Sequence, residues 1–402
     1  MAATKTGRTL VEFYDSEYME NIISLLRGNY DDVEFIVFAN ANEPTEQDRR
    51  ALSEYIANNY GLSPNFREIR EHTVECALAE FRAMIGNGGE YDFDITGGST
   101  VFIAAAGALA VENGGKRIFL HEYDPATGKR TFSYPKNSTM IGIKKGKLTV
   151  DHVLALRGIE LRHKDRAIRY NLEQDDLRGE VLRLWDAIRA HLKAWNGFCC
   201  IGARIERGRN FYYVDRTIAA DKMKNYDRLL GKLSASGIIS DKHEYRDGDK
   251  IELSYRLNVP ESAFFLYDKG GNVLEMLTYI AAVDSGCFAD CCTGISLDWD
   301  DSNRRADSGA YNEIDTVLTR GHIPYFISCK NTEINNNFMY EIMVMARHYG
   351  GKYAVPGLVC TTECNPADHG RAKEMGVVLI DGIASMSIEE YSQKLVSAFG
   401  GK

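Results

Sequence analysis

A chain of 402 residues with 44% apolar content is long enough for two or three domains with sizeable cores, which excludes a disordered or fibrous protein. A net charge of -9 excludes a surface coated for nucleic acid, so any such contact is expected to be local, in a groove or under a loop. No apolar run approaches the roughly 20 residues needed to span a bilayer, and the opening MAATKTGRTLVEFYD lacks the apolar core of a signal peptide, so a cytoplasmic location away from membranes is expected.

From residue 9 to about 134, apolar runs alternate with helical ones. TLVEFYD, VEFIVFAN, YDFDITGG and KRIFLHEYD read as strands; SEYMENIISLLRG, EQDRRALSEYIANNY and STVFIAAAGALAVENGG read as helices. That alternation predicts βαβ units and a parallel sheet, with KRTFSYP folding back as a hairpin strand after DPATG. Residues 151–258 are richer in charge: QDDLRGEVLRLWDAIRAHLKAW predicts one amphipathic helix, and NYDRLLGKLSASGIIS then KHEYRDGDKIELSYRLN predict a helix and a hairpin turning at Asp247-Gly248. Helix then hairpin is a winged-helix pattern, although no basic recognition face stands out and a connecting or dimer-forming segment explains it as well. From 259 on, AFFLYDKGG reads as a strand and turn and VLEMLTYIAAV as a helix. A hairpin, the helix NNFMYEIMVMARHYGG, the strand YAVPGLVCTT and a last αβ pair follow. The expected fold class is α/β, with a Rossmann-like domain over 1–150, a connector over 151–258 and a second α/β domain over 259–402.

Nine cysteines, an odd number without paired C-x-x-C spacing, predict reduced thiols; Cys287, Cys291 and Cys292 lack the two ligand pairs of a structural zinc site. In DITGGST, residues 94–100, a parallel strand ends, Gly97 and Gly98 let the backbone approach a ligand, and Ser99 and Thr100 open a helix whose free N–H groups favour an anion. A simple N-cap after a tight turn accounts for the same residues. Neither G-x-G-x-x-G nor a P-loop occurs.

In NEIDTVLTRGHIPYFISCK, residues 312–330, side chains alternate faces, so Glu313, Asp315 and Val317 are expected on one face and Phe326, Ser328 and Lys330 on one face of the next strand. A two-residue turn at Gly321-His322 would set Asp315 opposite Ser328 and Glu313 opposite Lys330. With Glu275 opening the preceding helix, this is a set of oxygen ligands for a hard divalent cation plus a lysine that can orient a water or stabilise developing charge on a phosphate. Each residue alone also has a structural explanation: Glu275 lies at capping-box spacing from Asn272, and Glu313 with Lys330 would make an ordinary cross-strand ion pair.

The order helix-Glu, Glu-x-Asp, x-x-Lys in GGNVLEMLTYI, NEIDTVLT and YFISCKN resembles the PD-(D/E)xK restriction-endonuclease-like nucleases. In particular it resembles those of type III CRISPR systems that carry a CRISPR-associated Rossmann-like (CARF) sensor, to which the N-terminal region with DITGGST is similar. The resemblance implies a homodimer that binds cyclic oligoadenylate, with cyclic tetraadenylate the leading ring size, and cuts DNA, RNA or both in antiviral defence. It implies Glu275, Glu313, Asp315 and Lys330 as catalytic residues. Mn²⁺ or Mg²⁺ would be held by Asp315, the Cys329 carbonyl, Glu275 and Glu313. It implies a ligand site at strand ends around Asp15, Asn40, Thr96, Gly97, Gly98, Ser99, Thr100 and His121. Ser328 departs from the pattern, since an acid usually stands two before the lysine. A ligand-gated regulator with a degenerate nuclease domain, and an unregulated repair nuclease with a dimerising N-terminal domain, are the competing readings.

Overall fold

The computed structural model describes residues 7–39, 44–86, 88–125, 127–136, 148–157, 172, 176–208, 211–298 and 311–400. The first part contains β1 (Arg8–Phe13), α1 (Ile23–Arg27), β2 (Asp32–Phe38), α2 (Glu46–Tyr60), β3 (Asn65–Ile69), α3 (Val74–Ile85), β4 (Glu90–Asp94), α4 (Thr100–Glu112), β5 (Ile118–Asp124) and β6 (Lys129–Tyr134). Its sheet has the order β3-β2-β1-β4-β5-β6, parallel except for β6, which runs back along β5 as the turn residues required. The unanticipated pair is β3 and α3. β3 is an edge strand with a single buried side chain, Ile69, so it lacks an apolar alternation. α3 had a legible signature in its Thr73 N-cap and in Ala77, Phe81 and Met84 on one face.

The middle part comprises α5 (Val150–Ala155), α6 (Leu177–Ile188), α7 (Leu192–Cys199), β7 (Ala203–Arg207), β8 (Tyr212–Ala219), α8 (Ala220–Met223), α9 (Asp227–Ala235), β9 (Ile239–Asp247) and β10 (Lys250–Leu257). The single helix expected from the amphipathic pattern is broken over residues 189–191, and His191, at φ -135° and ψ 28°, precedes α7, whose Trp195 and Phe198 join the core that Val181, Leu184 and Ile188 already face. Its antiparallel sheet has the order β7-β8-β10-β9. Asp247 pairs with Lys250, so the hairpin turns on Gly248-Asp249, one residue later than expected, with Gly248 supplying the positive φ of +55° at the first turn position.

The last part runs through a 3₁₀ helix (Glu261–Tyr267), α10 (Asn272–Ser285), β11 (Asp290–Asp298), β12 (Tyr311–Arg320), β13 (Ile323–Lys330), α11 (Asn336–Gly350), β14 (Val355–Cys360), α12 (Pro366–Glu374), β15 (Val378–Ile380) and α13 (Ile388–Gly400). The run AFFLYDKGG is thus helical rather than a strand: Ala263, Leu266 and Tyr267 are buried at helical spacing. The sheet order is β11-β12-β13-β14-β15, antiparallel across the first three strands and parallel from β13 to β15. One core joins the middle part to α10 and one face of this sheet. A second joins the other face to the N-terminal sheet through Val150, Val153 and Leu154 of α5. Among the described residues no helix is long and apolar enough to cross a membrane.

Candidate functional site

The β12–β13 hairpin turns on Gly321-His322 and pairs Arg320 with Ile323 through Thr316 with Ile327, the register deduced from the turn. Continued by one step it sets Asp315 against Ser328, and the Ser328 hydroxyl donates to Asp315 Oδ2 at 3.1 Å. The Cys329 N–H donates to the same oxygen at 2.6 Å, and Lys330 Nζ lies 3.9 Å from it. Beyond this point the strands part. Glu313 pairs with Lys269 at 3.4 Å rather than with Lys330, so the cross-strand Glu313–Lys330 ion pair is not formed.

The alternation of faces also breaks here. Cys292 and Ile295 on β11, and Ile314 and Val317 on β12, are three positions apart yet belong to one core. Gly294 lies between the first pair at φ +62°, opposite Asp315, and a left-handed residue flips the strand as a bulge does. The expectation that Glu313, Asp315 and Val317 share a face through a regular strand therefore fails at residue 315. The Thr293 hydroxyl pins the irregular segment by donating to the Asp315 carbonyl at 2.7 Å.

Glu275 lies in the first turn of α10, and its capping-box reading is not realised: the N-cap is Gly271, and the Asn272 amide donates instead to the Phe265 carbonyl at 2.7 Å. Burial, then the charges of Asp315 and Glu313, push the Glu275 carboxyl up to about 8, against the opposing pull of Lys269 and Lys330. Burial also raises Asp315, opposed by Lys330, the Cys329 N–H and Ser328. The three carboxylates therefore share a negative field that nearby lysines only partly neutralise. Among the described residues no group of three or more His, Cys, Asp or Glu closes into a metal-holding geometry. The donor set nevertheless fits a hard divalent cation in kind, because its groups are carboxylate oxygens whose repulsion a cation would relieve. At Cys329 only the backbone carbonyl suits such an ion; the thiol points to Thr278, 3.4 Å away, and burial raises its pKa.

At the other end, β1 and β4 are neighbours at the switch point of the parallel sheet, where ligands enter such folds. Asp15, just after β1, receives the Gly98 N–H at 3.0 Å, and Asn21 braces it by donating to its carbonyl at 2.7 Å. Gly98 has φ +83°, and a Cβ built there would stand 2.9 Å from the Phe13 carbonyl oxygen. Thr96 accepts the Tyr123 N–H at 2.9 Å, and Ser99 caps α4 while lying 3.2 Å from His72 Nε2. The loop 96–100 and Asp15 are thus joined at the ends of β1 and β4. His121 is buried, at 3% exposure, with Nε2 3.0 Å from the Ser24 hydroxyl, and burial pushes its pKa down to about 3. Asn40 lies outside the described residues.

Sequence reasoning missed the link between the two ends. A Cβ at Gly97 would stand 2.7 Å from Glu20 Oε2, so the 96–100 loop rests on Glu20, which is 5% exposed. Glu20 in turn binds Lys352 Nζ and the Tyr353 hydroxyl, in the segment between α11 and β14. Glu17 accepts the Lys352 N–H at 2.7 Å. No local pattern announces contacts between residues more than 330 positions apart.

No protein-family model matches the chain, and no curated protein sequence does. Solved structures do. Protein VC1899 from Vibrio cholerae superposes with a TM-score of 0.70 at 17% identity, over 99% of this chain and 100% of that one. Can2 from Sulfobacillus thermosulfidooxidans, in complex with cyclic tetra-adenylate, superposes at 0.64 and 12% identity over 98% and 99%. A type III CRISPR defence DNA nuclease activated by cyclic oligoadenylate superposes at 0.52 and 13% identity, over 98% of this chain and 52% of that one. The shared property is the fold, from end to end of this chain.

Proposed function

We propose that this chain is a cyclic-oligoadenylate-activated, metal-dependent nuclease of CRISPR antiviral defence, working in the cytoplasm as a homodimer. The observation that carries it is the convergence of Glu275, Glu313, Asp315 and Lys330 where β12 and β13 part, on a fold shared throughout with Can2 bound to cyclic tetra-adenylate. In this reading residues 1–150 are the sensor, 151–258 the connector and 259–402 the nuclease domain.

Asp315, Glu275, Glu313 and the Cys329 carbonyl would hold Mn²⁺ or Mg²⁺. The chemistry these residues would gain from such a cation is polarisation of a phosphate and a lowered pKa for a water. Lys330 would orient that water or offset the charge that develops on the phosphate oxygens. Ser328 does not ligate in this scheme; its hydroxyl holds Asp315 Oδ2, together with the Cys329 N–H, and so fixes the carboxylate's rotamer. Asp15, Thr96, Gly97, Gly98, Ser99 and Thr100 would form the rim that receives the cyclic adenylate, with His121 as buried support. Cyclic tetraadenylate is the first ring to test, because it is the ligand in the Can2 complex.

The deciding experiment incubates the protein with Mn²⁺ and plasmid DNA, single-stranded DNA or single-stranded RNA, with and without cyclic tri-, tetra- and hexaadenylate. Cleavage should require both metal and one ring size. Asp315→Asn should abolish it while leaving activator binding intact and removing the Mn²⁺-dependent rise in Tm, because the amide keeps the shape and loses the charge. Cleavage by Asp315→Asn at the wild-type rate would remove the activity from this site. Ser328 favours one second reading, a nucleic-acid-binding regulator with a degenerate nuclease domain. Activator-dependent binding of nucleic acid without cleavage would establish that alternative.

A further inference from the structure

The proposed reacting side chains are held at the ends of two elements, a helix and a strand, that no strand pairing connects. Glu275 follows the Lys269-Gly270-Gly271 entry to α10, and Lys330 is the last residue of β13, followed directly by Asn331. Both ends are tied to one helix of the connector, α7. The Asn196 amide nitrogen donates to the Asn331 carbonyl at 2.6 Å, and the Asn331 amide nitrogen donates back to Asn196 Oδ1 at 2.9 Å. The same Asn331 nitrogen lies 3.4 Å from the Gly270 carbonyl, which also receives the Trp195 indole N–H at 3.1 Å. Because a backbone carbonyl can only accept, the amide orientations of Asn196 and Asn331 follow from chemistry. Gly270 is required for this closeness: a Cβ there would stand 2.6 Å from Asn196 Oδ1.

We infer that Asn196 is a positioning residue for the nuclease site: through Asn331 and Gly270 it fixes the spacing between Lys330 and the helix start that carries Glu275. This rests on the nuclease reading above. It also assigns the connector a role, since Trp195 is 2% exposed inside the core shared by the connector and α10 and therefore anchors the pair rigidly. Reacting groups must stay within about 1 Å of their productive geometry, and losing that costs about a hundredfold in rate. Mutual amide hydrogen bonds anchored on a buried indole can hold such a tolerance; a flexible loop cannot.

The test uses the 402-residue chain with saturating Mn²⁺ and cyclic tetraadenylate, and two variants. Asn196→Ala removes both bonds, and Asn196→Asp keeps the shape and the acceptor but loses the donor to Asn331. Both should lower kcat, by about ten- to a hundredfold for alanine, with KM and activator affinity within about twofold. Hydrogen exchange should speed up at the amides of 270–275 and 330–332, and nowhere in the N-terminal sheet. A purely structural role would instead lower Tm and alter KM and exchange broadly, and that result overturns the inference. So does wild-type kcat in both variants. If wild-type protein cleaves nothing under any condition yet Asn196→Asp opens those amides selectively, the nuclease reading fails while the clamp stands. If wild type cleaves and neither kcat nor local exchange changes, the clamp fails and the reading stands.

Discussion

His322 shows how far a single side chain is decided by its surroundings. It occupies the second turn position of the hairpin that carries Asp315 and Lys330, and at 1% exposure neither ring nitrogen has a hydrogen-bond partner among the described residues. Burial, then the charge of Arg27, pushes its pKa down to about 4, against Asp124. A Cβ at Gly128 would collide with its ring, so the hairpin tip is seated on the β5–β6 turn of the N-terminal sheet. The folded pKa is below the unfolded one, so between them the unfolded chain binds the proton and the folded chain does not. Stability from this group is complete above about pH 6.5 and is lost as pH falls toward 4, on the order of 3 kcal/mol in all. Denaturant titrations from pH 7 to 4.5 should show a flatter pH slope for His322→Gln than for wild type. Equal slopes would mean that the ring is protonated in place.

Among elements, the loop between β4 and α4 has two duties that pull on the same glycine. Gly98 brings its N–H to Asp15 and lies against β1, in a left-handed conformation that side chains resist. Its first constraint is therefore packing on Phe13. Gly98→Ala should destabilise the protein by about 1–3 kcal/mol through backbone strain and that contact, before any ligand is added. Equilibrium denaturation measures this directly, and a change below the error of the method would show that the loop relocates freely. A bulky residue at 98 is consequently a poor probe of ligand binding, because a loss of affinity would report the damaged loop.

Across the molecule, the 96–100 loop, Glu20, Lys352 with Tyr353, and β14 beside β13 form a continuous series of contacts from the proposed sensor to the strand that ends at Lys330. If activation travels along it, Tyr353→Phe and Lys352→Ala should reduce the stimulation by activator at least about fivefold, the lower end of ordinary coupling energies. Activator affinity and the unstimulated rate should be unchanged. Rate measurements with and without saturating cyclic oligoadenylate test this, and full stimulation in both variants would place the coupling elsewhere, such as the His322 contact.

The sequence alone determined the features that depend on neighbours in the chain. Strand–helix alternation predicted the parallel sheet, a Gly-first turn set the β12–β13 register, and Ser99 marked the start of α4, because these follow from backbone conformation and periodicity within a few residues. That register made the meeting of Asp315 and Ser328 legible in advance. The same logic failed where a distant partner overrode local pattern. Glu313 chose Lys269 over Lys330, and the flip at Gly294 broke the alternation. Only the tertiary structure could assign Asn196 to Asn331, Trp195 to Gly270, or Glu20 to Lys352. Such pairs are chosen by which surfaces the cores press together, and burial of apolar area is blind to sequence separation.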